Sequence, residues 1–559
     1  MPTLNWIGKD AVINHHLEVP FRLLKDVTEL GCGDPGSGNL IVEGDNLVAL
    51  KALLPYYKGK VKCICIDPPY NTGNEGWAYN DNVNSSAIKH WLGETVGKEG
   101  ETLDRHDRWL CMMYPRLALL REFLSEDGSI FVCLDDNEIA HLRLMMDEVF
   151  GGDNFVANVV WQKKYTIAND AKWLSENHDH VLLYAKKKEG WRPRRLARSD
   201  EMNERYRNPD NHSKGPWKST PLYAKRTPSA EEKAFTFTFK NGYVWKPPAG
   251  STPRFPKDTL REMDKNDEIW FGSKGDAAPS RKTFLSELKI ESPPAATIWL
   301  HSEAGHNHEA RDEIKALLEA ESFATPKPTR LIERILQIAT NPGDLVLDSF
   351  AGSGTTGHAV LKMNAAAQRG ADIPVCLPGT EQTGMSASLS SPRRFILVEM
   401  DEKIAPDITR ERVKRVAEGY TNAKGEAMPG LGGGFRYVTL GDELFDEHGR
   451  INETKVRFAD LARHVYFSET GEPLPKERIS AKTPLLGIHH GRAVYLLYNG
   501  ILKDKSVDGG NVLASTTLEH LPAHDGPKVV YAAGCRFSKA RLEREGITFK
   551  QTPYAIRTK

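Results

Sequence analysis

At 559 residues the chain is too long for one hydrophobic core, and three or four domains are expected. Its 75 Lys and Arg balance 75 Asp and Glu, so no global field marks a polyanionic partner, although charge can still be local. Seven cysteines without a Cys-x-x-Cys pair suggest neither a disulfide framework nor a zinc ribbon and fit reduced thiols in a cytoplasm; Met1–Asp10 has no apolar signal segment, and no apolar run reaches the about 18 residues that would indicate a membrane span.

Residues 1–38 read as a lead-in arm ending in the Gly-rich loop Gly31–Gly38. Asn39–Asn46 is a strand and turn, and Leu47–Leu54 a short helix with Leu47, Leu50, Leu53 and Leu54 on one face. Val61–Ile66 is a β-branched run that reads as a buried strand, stopped by Asp67-Pro68-Pro69-Tyr70. The two prolines stiffen the turn, so a carboxylate and an aromatic ring are held at the strand edge where open α/β sheets bind ligands. Taken alone, the same four residues are equally a strand-ending turn.

The polar stretch Asn71–Glu101, with Trp77, Tyr79 and Trp91, is long for a connection and has the length of a functional loop. Asp107–Leu124 reads as a helix that Pro115 should kink or start late. Ser129–Leu134 is a buried strand, and Asp136 is placed to cap a helix over Glu138–Phe150 rather than to form a catalytic pair with Asp135. Strands are expected at Asn158–Gln162 and His180–Ala185.

The texture changes at Lys186. Lys186–Lys257 holds 18 Lys and Arg against 7 Asp and Glu, an excess of 18 − 7 = +11, interleaved with aromatics from Trp191 to Phe255. That mixture suits a phosphate backbone and exposed bases, or a basic surface over a small aromatic core; Ala234–Lys240 looks like an ordinary strand within it. His301, His306 and His308 lack a companion thiol or placed carboxylate, so no metal site is expected. A polar helix follows at Glu309–Glu321, and Thr325-Pro326-Lys327-Pro328 opens another, Thr329–Ile338.

Asp344–Asp348 is a strand, and Ser349–Gly357 turns it into a helix over His358–Met363. Gly352-x-Gly354-x-x-Gly357 in this strand–turn–helix setting marks a nucleoside-cofactor site, because backbone can approach a ligand where side chains would clash. Ala365–Ser391 reads as a mobile excursion. Arg394–Glu399 is the next strand, its final acid placed to accept ribose hydroxyls, and the helix Ala405–Ala417 follows. Beyond Gly441, strands at Val494–Tyr498 and Val529–Ala533, a helix at Ser538–Glu545 and an extended run at Ile547–Ile556 form a small α/β domain without recognisable chemistry.

Four stretches together, Gly44–Leu47, Ile66–Gly73, Thr325–Pro328 and Phe350–Thr356, resemble the amino-group DNA methyltransferases that use S-adenosylmethionine. The glycine turn follows Asp-Pro-Pro-Tyr with the basic segment between them, which is the circularly permuted, β-class order. More narrowly the chain resembles the modification (Mod) subunit of type III restriction–modification systems, over about residues 39–440. The resemblance implies a Rossmann-like, doubly wound α/β sheet: a catalytic half at 39–188, a target-recognition domain at 189–320, a cofactor half at 321–440 and a C-terminal α/β domain at 441–559 suited to partner or dimer contacts. It implies methylation of adenine N6 in double-stranded DNA, a homodimer, and a helicase–nuclease restriction partner.

Residue by residue, the resemblance gives Asp67 and the Pro68 carbonyl the amine, Pro69 and Tyr70 the remainder of the catalytic loop, and the Tyr70 ring a stacking face for the base. Asp348, Phe350, Ala351, Gly352, Ser353, Gly354 and Thr355 would hold the methionine part of the cofactor. Glu399 would hold the ribose, Asp45 would lie near the cofactor's adenine, and Lys327 would meet its carboxylate. Asn208–Trp217 matches a segment of the recognition domain, with Lys214 where Arg is expected, which puts a bidentate phosphate contact in doubt. The span Asn364–Ser391 is longer than usual. No Pro-Cys dipeptide supplies the nucleophile that carbon methylation of cytosine needs, and Asp at the first motif position favours adenine N6 over cytosine N4. A nicotinamide oxidoreductase would place its ribose acid about 20 residues past the glycines, nearer than Glu399. A silent DNA-binding scaffold, and methylation of RNA or of a protein amide, are the further alternatives.

Overall fold

The computed structural model describes residues 3–72, 105–169, 171–196, 203–288, 294–318, 323, 325–369, 391–422, 425–444, 451, 456–470, 474, 483–498 and 510–552. Most of the polar stretch expected after Asn71 and of the excursion before Ser391, and the end of the run expected to reach Ile556, lie outside the described residues.

The main sheet is built from β1 (Arg22–Asp26), β2 (Leu40–Glu43), β3 (Val61–Ile66), β4 (Leu124–Leu134), β5 (Phe155–Gln162), β6 (His178–Ala185), β7 (Ile298–Trp299), β8 (Leu345–Asp348), β9 (Arg394–Glu399) and β10 (Gly434–Glu443). Their spatial order is β1-β10-β2-β9-β8-β3-β4-β6-β5-β7, and Cys32–Gly33 adds to β10. From β10 to β4 every pairing is parallel. The order reverses between β8 and β3, strands far apart in sequence, and this switch point is where such sheets open a crevice. Cys63 faces Val346 and Ile64 faces Leu347, so Asp67 and Asp348 emerge side by side.

Both faces of the parallel strands are buried. Leu40, Val42, Ile64, Ile66, Ile130, Val132, Leu347 and Val398 share one core with the helices α1 (Asn46–Tyr57) and α2 (Arg105–Phe123). Ile41, Cys63, Cys65, Phe131, Val346 and Leu397 are buried at the alternate positions. On that side α4 (Thr329–Ala339) meets β3 and α5 (Thr355–Gln368) meets β9. Near-continuous hydrophobic strands are what a parallel sheet covered on both sides requires, and each fully buried aliphatic chain contributes about 1.5–3 kcal/mol. This is the doubly wound α/β fold expected from the sequence.

Two local expectations need correction. Pro115 neither delays nor interrupts α2, which runs through it. Burial of Trp109, Met112, Met113, Leu117 and Leu120 outweighs the one lost backbone hydrogen bond. Nor does Asp136 cap α3 (Ile139–Met146): the N-cap is Glu138, Asp135 accepts from Asn137 N at 2.9 Å, and Asp136 lies 3.0 Å from His180 Nε2.

Arg195–Ala295 is a compact unit of its own. Its core gathers Leu222, Phe237, Phe239, Trp245, Leu260, Met263 and Ile269, so many of the interleaved aromatics are structural. Lys214 there is bound between Glu268 and Glu287, at 2.8 and 2.5 Å. In the larger unit, Leu485–His489, Arg492–Leu496, Lys528–Ala532 and Ile547–Gln551 make a separate four-stranded sheet whose core takes in Phe21 and Leu23 of the first residues. No helix among the described residues is long and apolar enough to cross a membrane.

Candidate active site

At the switch point an open cavity is lined by Cys65, Asp67, Cys133, Phe323, Lys327 and Asp348, together with the glycine turn. On its β3 side, Asp67 follows the last strand residue. Its Oδ2 accepts from Lys327 Nζ at 2.5 Å, whereas Oδ1 is shielded from solvent and accepts no hydrogen bond among the described residues. Burial raises the Asp67 carboxyl above its ordinary range, and the Lys327 ammonium beside it pulls in the opposite direction.

The stiff loop is held from several sides. Trp109 Nε1 of α2 donates to the Pro69 carbonyl at 2.7 Å, and no donor to the Pro68 carbonyl is found among the described residues. Tyr70 Oη donates to Asp179 Oδ2 at 3.2 Å, and Lys163 Nζ donates to Asp179 Oδ1 at 2.6 Å. Lys327 Nζ stands 4.8 Å from the centre of the Tyr70 ring, a cation–π distance. Asn71, left-handed at φ 57°, is fixed by Glu138, whose fully buried carboxylate also lies 2.6 Å from His106 Nδ1 and 2.7 Å from His141 Nδ1.

On the β8 side, Asp348 Oδ1 accepts from Phe350 N at 3.0 Å and Oδ2 from Thr356 Oγ1 at 2.6 Å, which ties the strand end to the start of α5. Burial pushes its carboxyl up to about 7. Gly352 and Gly354 are left-handed, at φ 49° and 75°. A Cβ on Gly352 would lie 3.0 Å from Phe323 Cζ, and one on Gly354 would lie 2.9 Å from the Thr409 carbonyl oxygen, so both positions need glycine. Beneath the turn, fully buried Arg412 donates to Ser353 Oγ at 3.0 Å and to Thr355 Oγ1 at 2.8 Å. Glu399 lies under the same turn with both oxygens engaged, by Gly352 N at 2.8 Å and Asp401 N at 3.0 Å; burial raises it to about 8.

The structure thus brings Asp67, Lys327, Asp348, Phe350, Ala351, Gly352, Ser353 and Thr355 to one cavity. Pro68, Pro69, Tyr70, Gly354 and Glu399 are not among the residues that line it. Asp45 is the N-cap of α1, accepting from Leu47 N and Val48 N, and its other oxygen accepts from Arg116 at 3.1 Å. Lys327 lines the same cavity and lies on Asp67. Trp109, Asp179, Lys163, Phe323 and Arg412 escaped sequence reasoning. Only Trp109 had a signal, as an aromatic on the inner face of a predicted helix.

A glycine turn at the switch point of a doubly wound sheet, facing a carboxylate on a rigid loop, defines a Rossmann-like cofactor-binding domain with its reactive side built in. The chain belongs to the N6/N4 DNA methylase family, whose model matches residues 61–410. It is 33% identical over 430 residues to the StyLTI Mod subunit, a type III restriction–modification protein of Salmonella typhimurium, covering 74% of this chain and 62% of that one. To the EcoPI Mod subunit of Escherichia phage P1 it is 33% identical over 402 residues, covering 65% and 61%. To the type II methyltransferase M.KpnI of Klebsiella pneumoniae it is 26% identical over 392 residues, covering 65% and 85%. The chain therefore spans a little over three-fifths of the length of the two Mod subunits. The resemblance drawn from the four motifs is borne out at the level of the family.

Proposed function

We propose that this chain is a site-specific DNA methyltransferase acting on the exocyclic N6 amine of an adenine turned out of double-stranded DNA, with S-adenosylmethionine as methyl donor. The observation that carries the reading is Asp67 Oδ1: a buried carboxylate oxygen without a partner among the described residues, on a rigid loop facing a glycine cradle.

The residues present fit that donor. Side-chain-free approach at Gly352 and the buried carboxyl of Asp348 in the cavity wall suit a small zwitterion, and a cavity bearing two carboxyls favours an occupant with positive charge. When bound, the donor supplies an electrophilic methyl on a sulfonium. Asp348 and the turn from Phe350 to Thr355 would hold its methionine part. Glu399, through its remaining lone pairs, would hold its ribose, with Asp45 toward its adenine.

The chain's own residues then do the following. Asp67 Oδ1 and the Pro68 carbonyl oxygen accept the two N–H groups of the adenine amine, which draws the nitrogen lone pair out of the ring and aims it across the cavity. Asp67, made more basic by burial, takes the proton the nitrogen sheds as the new N–C bond forms. Lys327 keeps Asp67 oriented by holding the other oxygen. Tyr70 gives the base a stacking face, its hydroxyl fixed by Asp179. Turning the base out costs about a few kcal/mol, which stacking and phosphate contacts must offset.

By analogy with the Mod relatives, the chain acts in the cytoplasm as a homodimeric modification subunit alongside a helicase–nuclease restriction subunit, and Arg195–Ala295 reads the target. Methylation-sensitive sequencing of DNA from cells expressing the chain tests the reading. The expected result is N6-methyladenine at one sequence motif, lost in Asp67→Ala. Modified cytosine, or no modified base, would overturn it.

A further inference from the structure

One part of the catalytic edge has no role in this mechanism beyond the contact of Lys163 with Asp179: the connection between β5 and β6, described over residues 163–169 and 171–177. Its stem is well tied. Lys164 N donates to the Asn177 carbonyl at 3.3 Å, Asn177 Nδ2 to the Thr166 carbonyl at 2.9 Å, and Ala168 N to Ser175 Oγ at 2.9 Å. Such a loop would ordinarily fold its apolar side chains inward, yet Ile167, Trp173 and Leu174 are 76%, 84% and 89% exposed. Large apolar side chains held in solvent beside a hydrogen-bonded stem mark an interaction surface.

Its position identifies what it meets. Leu134 of β4 pairs with His180 and Gln162 pairs with His178, so the loop projects from the sheet edge that carries Asp67. Lys163, its first residue, shares the carboxylate of Asp179 with the Tyr70 hydroxyl. Exposed Lys164 and Lys172 flank the apolar tip, and Lys172 Nζ lies 5.4 Å from the Trp173 ring centre. An aromatic and an aliphatic tip between cations, beside a site that receives a flipped base, matches the gap that flipping leaves in a duplex: an unstacked step with an orphaned base on the opposite strand. Resting on the proposed function, we infer that residues 163–169 and 171–177 form the wedge of this enzyme. Trp173 and Leu174 enter the target duplex and fill the space the adenine vacates, while Lys164 and Lys172 meet the adjoining phosphates.

The test uses the full chain, its Trp173→Ala/Leu174→Ala double variant, and a duplex carrying 2-aminopurine at the target adenine. Calorimetric binding of S-adenosylmethionine serves as the folding control and should be unchanged. The variant should lose most of the flipping fluorescence and show a KM for duplex raised about tenfold or more. A duplex mispaired at the target, already partly unstacked, should restore most of that loss. Equal flipping and equal KM, or a loss that the mispaired duplex does not restore, would overturn the inference. So would altered self-association with unaltered DNA binding, which would make the tip a protein contact. If the unmutated chain methylates no DNA, it is the proposed function that falls first.

Discussion

Replacing Lys327 by Met keeps the length of the side chain and removes the cation from Asp67. The two groups are 2.5 Å apart with side chains 9% and 19% exposed, so water screens them little. At an effective dielectric of about 20 their attraction is about 6–7 kcal/mol, much of it offset by desolvation; breaking a comparably buried pair costs about 3–5 kcal/mol. The cost depends on pH because Asp67 can take up a proton instead. Burial already raises its carboxyl, and Lys327 is the main group pulling it down. Without Lys327 the folded carboxyl rises further while the unfolded one does not. A carboxyl raised in the folded state contributes stability that is full below its unfolded value and is lost as pH climbs through the folded value. The variant should therefore be close to the parent at acid pH, near the ordinary carboxyl range, and fall behind it progressively as pH rises, approaching about 3–5 kcal/mol. Urea unfolding across that range measures the difference, and the acid limb of the methylation rate should move to higher pH in parallel. A penalty independent of pH, or one largest at acid pH, would show that Lys327 acts by packing alone.

Gly352→Ala places a methyl 3.0 Å from Phe323 Cζ in a left-handed conformation that costs an L-residue about 1–2 kcal/mol; affinity for S-adenosylmethionine should drop about tenfold or more by calorimetry, and unchanged affinity would refute the cradle. Asp348→Asn can keep both hydrogen bonds if the Thr356 hydroxyl reverses. It should fold normally and flatten the decline in unfolding free energy that the parent shows as pH rises from about 4 to about 7, the folded position of this carboxyl; a slope equal to the parent's would refute that shift. Tyr70→Phe loses the hydroxyl bonded to Asp179, which also lowers the Asp67 carboxyl, at a cost of about 0.5–1.5 kcal/mol, and should retain most methylation, whereas Tyr70→Ala should lose base flipping, read with 2-aminopurine. Equal losses in both would move the role from the ring to the hydroxyl.

The parts of this site that were legible from sequence are those in which one short stretch carries its own geometry. Val61–Ile66 with two prolines after it states both the strand and its end, and the glycines after Asp348 state the turn. The contacts between stretches were not legible. Nothing near Lys327 indicates that it lies on Asp67 rather than toward solvent, because that depends on the strand exchange between β3 and β8. Asp179 is one acid in a β-rich run until β6 pairs with β4 and brings it beneath Tyr70. Pro115 misled for a related reason: local chemistry favours a break, and only the burial of the whole helix decides otherwise. Asp136 has the sequence signature of a cap, yet three donors draw Glu138 inward, the helix starts one turn-position later, and Asp135 closes the preceding turn.

The two half-sites are also coupled electrostatically. Asp348 is raised mainly by burial, and the nearby Asp67 raises it further. Lys327 is the one cation bonded to either carboxylate among the described residues, and it is bonded to Asp67 alone. The cavity therefore holds more acid than it can ionise in isolation, with Asp348 half-protonated near neutral pH. A cation arriving between them relieves both at once, so the strand order that brings the halves together also sets the charge of the ligand they prefer. A second cation at the unbonded oxygen of Asp67 would satisfy that carboxylate, and on the proposed function it would remove the acceptor for an incoming amine.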